Sequence, residues 1–166
     1  MKRAYIFALV FALTGCGTAR TLVLDPVKSE AKFAHAVLEE NNPNVSVPPE
    51  VTAKFRSVIE KGLYDKQAFA PGKDLRIQYT FVSHNPGSQF TRWFWGGIGN
   101  AGEGSLAVLV RYLDTNDKEL AKTQVEGRIG SGAFGGSFDE AIIKAGEEIV
   151  KFTADHFAAN RSVAAN

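Results

Sequence analysis

The sequence predicts a two-layer α/β sandwich (α+β) with the element order β-α-β-β-β-α. Four stretches have the apolar pattern of strands, and two stretches repeat apolar residues at helical spacing. The first helical stretch lies between two strands, whereas the last three strands follow one another directly. We therefore expect a mixed, mostly antiparallel four-stranded sheet with a crossover helix and with two helices on one face.

The four predicted strands differ in how clearly they alternate. The stretch Leu75–Val82 is the clearest, because apolar and polar residues alternate along nearly all of it, which predicts one packed and one wet face. The stretch Ser105–Leu113 is apolar on both faces, so we expect it to be a central strand. The other two strands are Lys32–Glu39 and Glu119–Ile129.

Both helices are predicted from their first turns and from the spacing of their apolar residues. The first begins at Pro48-Pro49-Glu50, because proline is tolerated and acid is favourable in a first turn, and it runs to about Tyr64. The second begins with a capping box, Ser137-Phe138-Asp139-Glu140, and ends near Phe157.

The N-terminus has the pattern of a bacterial lipoprotein signal. A basic start is followed by ten apolar residues, Ala4–Leu13, which suit a signal-peptide core and are too few for the roughly 18 of a membrane span. Leu13-Thr14-Gly15-Cys16 then resembles a lipobox, so we expect cleavage between Gly15 and Cys16 and lipidation of Cys16 with palmitate-type chains. The alternative is an ordinary secreted protein in which Cys16 is incidental.

This interpretation divides the chain into four parts. Residues 1–15 are the signal peptide, 16–30 the lipidated N-terminus and a short tether, 31–158 a single α/β domain, and 159–166 a flexible tail. Gly17 follows the cysteine instead of an aspartate that would favour retention in the inner membrane. We therefore expect a membrane protein held by its lipid in the cell envelope, at the outer membrane and facing the periplasm.

Composition excludes several classes of function. The chain has 19 basic and 18 acidic residues, and removal of Lys2 and Arg3 with the signal peptide leaves a net charge of about −1. There is no basic excess for nucleic acid. Cys16 is the only cysteine, so its lipidation leaves no thiol for a disulfide, a redox motif or a zinc site.

The glycine-rich segments do not predict a cofactor site. Gly130-x-Gly132-x-x-Gly135 has the spacing of a dinucleotide-binding loop, but no second strand with a ribose-binding acid follows its helix. We interpret these glycines as a tight turn into a capped helix. Gly97-x-Gly99-x-x-Gly102 has the same spacing and precedes a strand, so its signal is weaker still.

Catalytic and metal-binding patterns are also lacking in the sequence. The three histidines, His35, His84 and His156, have no acidic or histidine partner at metal-motif spacing, and no serine lies in a G-x-S-x-G elbow. We therefore predict no catalytic residue, no cofactor and no metal ligand.

The segment Arg92-Trp93-Phe94-Trp95 has more aromatic residues than a loop needs for its structure. Its aromatic rings could belong to the core, where they would bury a large apolar area. They could instead form a surface patch for a partner or for the bilayer interface, with Arg92 beside a phosphate or carboxylate. The sequence leaves both interpretations open.

One stretch of the chain resembles a known family. The residues that carry the resemblance are glycine-rich, followed by an acidic turn and a strand: Gly87-Ser88, Arg92, Gly97-Ile98-Gly99, Gly102, Gly104, Asp114 and Leu120-Ala121-Lys122. They are similar to a bacterial lipoprotein family known only as a domain of unknown function, the 4410 family. The resemblance covers about Lys32 to Phe157 and implies no catalytic residue. More distantly, the element order is similar to envelope lipoproteins that help assemble secretion pores or activate wall synthases.

Two hypotheses about function follow. The first is a non-enzymatic, lipid-anchored envelope lipoprotein that binds another envelope component, with its oligomeric state left open. The second is a periplasmic binder of a small anion, or a hydrolase, that uses a cleft beside the glycine-rich loops. That cleft would combine Arg92, His84 and the start of the last helix, because helix N-termini suit anions.

Overall fold

The computed structural model describes residues 18–41, 45–65, 68–85, 105–128 and 138–159. In these residues a six-stranded sheet is covered on one face by two helices. In chain order the elements are β1 (Thr18–Asp25), β2 (His35–Glu40), α1 (Pro49–Tyr64), β3 (Ala70–Pro71), β4 (Leu75–Asn85), β5 (Ser105–Leu113), β6 (Glu119–Arg128) and α2 (Phe138–Phe157). The strand order in the sheet is β1-β6-β5-β4-β2-β3.

The predicted mixture of parallel and antiparallel pairs is confirmed. Strands β4, β5 and β6 form an antiparallel meander, and β2 lies parallel to β4 because α1 crosses over between them. A tight turn joins β5 to β6, where Asp114 Oδ1 accepts hydrogen bonds from the backbone N–H groups of Asn116 and Lys118. Asp117 closes this turn with a φ of 60°.

The described residues form six strands, two more than the four predicted. The stretch Thr18–Asp25, expected to be part of a tether, is the edge strand β1 and pairs antiparallel with β6. Its threonine, leucine and valine residues favour extended structure, and pairing with β6 satisfies backbone groups that a free tether would leave to water. The two-residue β3 adds a short parallel partner to β2 at the other edge.

Both helices pack on the same face of the sheet, as predicted. Phe55 of α1 lies with its ring centroid 5.4 Å from that of Tyr79 and 5.3 Å from that of Phe81 in β4. On α2, Phe152 and Phe157 contact Tyr112 of β5 at 5.2 and 5.1 Å. All these strand residues are buried, so the core lies between the helix layer and this face.

The opposite face of the sheet carries most of its polar residues. Arg76 donates from Nη2 to Glu39 at 2.9 Å and from Nε at 3.1 Å, so β2 and β4 are joined by an ion pair across their parallel register. Arg76 also pairs with Asp117, and Gln78 donates to Glu39 at 3.1 Å. This polar face therefore matches the wet face predicted from the alternation of Leu75–Val82.

Candidate functional site

Four strands meet in register at one end of the sheet. Asn85 of β4 pairs with Ser105 of β5, Ser105 with Arg128 of β6, and Arg128 with Thr18 of β1. We call this row of residues the Thr18 end. The glycine-rich segments 86–104 and 129–137 join the described strands here, and Thr18 comes two residues after Cys16. The topology thus connects three segments singled out in the sequence to one end of the domain.

The residues predicted to carry function lie outside the described residues. This applies to the cleavage and lipidation residues Gly15 and Cys16, and to the aromatic segment Arg92, Trp93, Phe94 and Trp95. Whether that aromatic segment belongs to the core or to a surface stays a prediction. The segment that contains it leaves the sheet at Asn85 and returns at Ser105, both at the Thr18 end.

An arginine-lined cleft opens at the Thr18 end. Its volume is about 290 Å³, and it is lined by Thr18, Ala19, Arg20, Glu126 and Arg128. Arg20 donates to Glu126 Oε2 from Nε at 2.9 Å and from Nη2 at 2.6 Å. Arg128 Nη2 approaches the same oxygen at 3.4 Å. We call this site the arginine cleft.

The charges of the arginine cleft do not cancel. Two guanidinium groups share one carboxylate, and Gln124 donates to the other oxygen of that carboxylate at 3.1 Å. The hydrogen bonds from Arg20 lower the pKa of Glu126, which therefore stays ionised at neutral pH. The side chains of Arg20 and Arg128 remain 59 % and 47 % exposed, whereas Glu126 is 17 % exposed. Glu126 thus holds in place two arginines that face solvent.

No pattern in the sequence predicted this cleft. From the sequence, Arg20 belongs to the predicted tether, and Glu126 and Arg128 are polar residues on the wet face of a predicted strand. The available signal was the β-forming composition of the segment from Thr18 to Asp25, which favours a strand. The pairing itself joins residues 106 positions apart, and no local pattern specifies it.

His84 lies beside the start of the last helix, as the second hypothesis required. Its ring centroid is 5.3 Å from that of Phe138, and burial lowers its pKa. Among the described residues, His84 Nε2 and Glu140 Oε2 are buried without a hydrogen-bond partner. However, Asp139 and Glu140 occupy the first turn of α2, and their negative charge disfavours an anion at that helix N-terminus.

The free edge of β1 is the second unusual surface. Leu22, Val23 and Leu24 are 38 %, 55 % and 52 % exposed. The register shifts between Val23 and Asp25, so Leu24 has no partner residue on β6. An apolar edge strand without lysine is open to further strand pairing.

The described part of the chain has neither a cluster of metal ligands nor a helix that could span a membrane. No group of three or more His, Asp or Glu side chains there could hold a metal ion. His35 Nδ1 and Asp74 Oδ2 lie 2.8 Å apart as an exposed pair at the start of β2 and β4. Within the same residues, neither helix is long and apolar enough to cross a bilayer.

Solved structures that match the chain have low sequence identity to it. The PelC dodecamer from Paraburkholderia phytofirmans is 16 % identical, with a TM-score of 0.47 over 87 % of this chain and 99 % of that chain. A single-residue variant of that dodecamer is 15 % identical, with a TM-score of 0.49 over the same shares. A PDZ domain protein from Parabacteroides distasonis is 14 % identical, with a TM-score of 0.37 over 84 % of this chain and 37 % of that chain.

A family assignment completes the comparison. A search of curated proteins found no match. A family model matches residues 27–133, which include β2 to β6 and all the residues on which the family resemblance rested, from Gly87 to Lys122. The chain belongs to the family described as Domain of unknown function (DUF4410).

Proposed function

We propose that this chain is a lipid-anchored envelope lipoprotein without enzymatic activity, whose domain binds another envelope component through its Thr18 end. The observation that carries the proposal is the position of Thr18. It begins β1 only two residues after Cys16, and two residues span at most about 7 Å. A lipid on Cys16 would therefore hold the Thr18 end directly at the membrane surface.

The same arrangement gives the aromatic segment a role in the proposal. Segment 86–104 leaves and rejoins the sheet at Asn85 and Ser105, in the row that also contains Thr18. A chain anchored at Cys16 would carry both ends of this segment, which contains Trp93 and Trp95 in its sequence, on the membrane-facing side of the domain. Tryptophan is favoured at bilayer interfaces and at protein interfaces, so this side suits contact with the membrane or with a membrane-bound partner.

Mass spectrometry of the protein from its native membrane tests the anchor. We expect a chain that begins at Cys16 and carries a diacylglyceryl group and an N-acyl chain. Each buried methylene contributes about 0.8 kcal/mol, so three chains hold the protein permanently. We also expect Cys16→Ala to release the protein from the membrane fraction, and gradient fractionation to find the parent chain with outer-membrane markers. A free thiol at Cys16 would contradict the proposal.

Site-specific crosslinking tests the partner. A photo-crosslinking residue at Arg128 would stand at the Thr18 end, whereas one at Asn116 would stand in the exposed β5–β6 turn at the opposite end. We expect a discrete protein adduct from position 128 and none from position 116. Equal crosslinking from both positions would argue against a partner at the Thr18 end.

A second candidate function, the binding of a small anion, is favoured by the arginine cleft. The start of α2 is a poor place for an anion because of Asp139 and Glu140. Arg20 and Arg128 offer the better site, because guanidinium groups match phosphate and carboxylate geometry. A titration of the lipid-free chain with inorganic phosphate tests this candidate and is specified below.

A further inference from the structure

We propose that the arginine cleft holds the phosphate of a membrane lipid beside the protein's own anchor. The inference rests on the proposed lipidation of Cys16 and names the ligand chemistry at the Thr18 end. In the same cleft a free phosphate would make the same contacts, so the experiment below separates the two sources.

The cleft lies close enough to Cys16 to bring both arginines near the lipid headgroups. Arg20 follows Cys16 by four residues, which span at most about 14 Å. Arg128 is the cross-strand partner of Thr18, so its Cα lies about 5 Å from a residue that is itself at most about 7 Å from Cys16. The headgroup layer on each side of a bilayer is roughly 5–8 Å thick. Long arginine side chains span the remaining distance with their charged ends in the polar layer.

Charge makes the arginine cleft selective for an anion. Its three ionised side chains carry a net charge of +1, since Glu126 compensates only one of the two guanidinium groups. A guanidinium group has five N–H donors. Arg20 uses two of its donors on Glu126, and Arg128 approaches Glu126 only at 3.4 Å. The unused donors of both arginines remain available for the oxygens of a phosphate.

Glu126 acts as a positioning residue in this arrangement. Without it, two exposed arginines would repel each other and sample many rotamers, and ordering them would cost conformational entropy. Gln124 fixes the second oxygen of the carboxylate and so fixes its orientation. The cleft of about 290 Å³ exceeds the roughly 30 Å³ of one water molecule several times, which leaves room for a phosphate group.

Vesicle binding by a lipid-free chain is the first test. The chain from residue 16 to 166 with Cys16→Ser contains every described helix and strand. Vesicles are prepared from phosphatidylcholine alone or mixed with phosphatidylglycerol. We expect tighter binding to the anionic vesicles, and a loss of about fivefold in affinity for each of Arg20→Gln and Arg128→Gln, which corresponds to about 1 kcal/mol per basic residue.

The control is Arg111→Gln. Arg111 lies on the same sheet face and donates from Nε to Glu119 at 2.6 Å, so this variant also breaks an Arg–Glu pair. Arg111 lies in β5 away from the cleft, and we expect its variant to bind anionic vesicles like the parent. Equal affinities of the double variant Arg20→Gln/Arg128→Gln and of Arg111→Gln would overturn the inference.

A variant that is expected to raise the affinity for anionic vesicles distinguishes an effect on binding from an effect on folding. Glu126→Gln keeps a side-chain oxygen that can still accept a hydrogen bond from Arg20 and so retains part of the positioning. It removes the negative charge and raises the net charge of the cleft from +1 to +2, so we expect affinity for anionic vesicles to rise by about fivefold. A damaged fold would lower the affinity instead. A loss of affinity in Glu126→Gln, with an unchanged circular dichroism spectrum, would contradict the charge argument.

Experiments with inorganic phosphate show whether the cleft binds the phosphate of a lipid or a free phosphate. We expect millimolar phosphate to shift the amide resonances of Arg20 and Arg128 and to compete with anionic vesicles for the chain. Shifts with phosphate but no preference for anionic vesicles would assign the cleft to a free anion and overturn the lipid source. Failure of vesicle binding with confirmed lipidation of Cys16 would reject this inference alone, whereas a free Cys16 thiol would reject the proposed anchor.

Discussion

Gly127 of β6 lies directly against the backbone of Ala141 in α2. A Cβ atom added to Gly127 would stand 2.3 Å from the carbonyl oxygen of Ala141, which is closer than any real contact of this kind. The absence of a side chain therefore sets the distance between the start of α2 and the strand that carries the arginine cleft.

Substitution of Gly127 by alanine is expected to destabilise the fold. The clash is with backbone atoms, so α2 must move, and overpacking of this kind costs about 1–3 kcal/mol. Urea denaturation measures the loss. The matched control is Gly146→Ala, whose Cβ would meet Val58 Cγ1 at 2.7 Å. This contact is with a side chain and not with backbone, so a smaller shift relieves it. Alanine in a helix also gains about 1 kcal/mol over glycine. A Gly127→Ala chain as stable as Gly146→Ala would contradict the argument.

Removal of β1 distinguishes a strand from a tether. A chain that begins at Pro26 loses all seven residue pairs between β1 and β6 and the hydrogen bond from Thr21 to Glu148 of α2, 3.1 Å long. We expect its melting temperature to fall by roughly 5 °C or more, because each kcal/mol shifts a domain of this size by about 2–4 °C. A chain that begins at Thr18 serves as the control. Equal melting of the two chains would mean that β1 behaves as a tether.

Protonation of His84 is expected to oppose folding. Burial lowers its pKa below 6.5 in the folded chain, so the unfolded chain takes up the proton first as the pH falls. The neutral form is compatible with the fold above about pH 6.5, and stability is lost as the pH falls through that value toward the folded-state pKa. NMR titration of the His84 ring protons in the folded chain measures the midpoint. A midpoint at or above 6.5 would contradict this expectation.

The ion pair between Arg76 and Glu39 is expected to make stability sensitive to acid. Hydrogen bonds from Arg76 lower the pKa of Glu39 below 4.5 in the folded chain. Glu39 therefore stabilises the fold above about pH 4.5, and this contribution is lost as the pH falls through the folded-state pKa. Urea midpoints at neutral and acidic pH should differ less for Arg76→Gln than for the parent chain.

A second ion pair provides the control for this acid dependence. Lys151 and Asp155 form an exposed helical pair at 2.6 Å, and pairs of this kind contribute little to stability. We expect Lys151→Gln to keep the acid dependence of the parent chain. If the stabilities of Arg76→Gln and Lys151→Gln depend on pH in the same way, the partly buried pair between β2 and β4 does not cause the acid sensitivity.

Much of the fold could be predicted because its pattern is local. The alternation from Leu75 to Phe81 specifies a strand with one buried face, and the structure buries every second residue there. The helix Pro49–Tyr64 was predicted with nearly its observed bounds, since its proline start and apolar spacing are both encoded within one stretch. The glycine-rich residues together with the acidic turn and the strand after it identified the family, which the comparison confirms over residues 27–133.

The edge strand and the arginine cleft could not be predicted in the same way. Arg20 meets Glu126 across 106 residues, and the stretch around Arg20 shows no strict alternation that would mark it as a strand. The stretch is a strand because it pairs with β6. Its apolar residues Leu22, Val23 and Leu24 are all exposed, so they do not mark one buried face of a strand. The lipidation of Cys16 stays a prediction from the sequence.

The sequence by itself determined the helices, the central strands and the family, because each depends on residues that are neighbours in the chain. Only the tertiary structure decided that β1 is an edge strand of the sheet and that Arg20, Glu126 and Arg128 share one cleft. The physical reason is that strand pairing joins distant segments through backbone groups common to nearly all residues, so the amino-acid types of one segment do not name its partner.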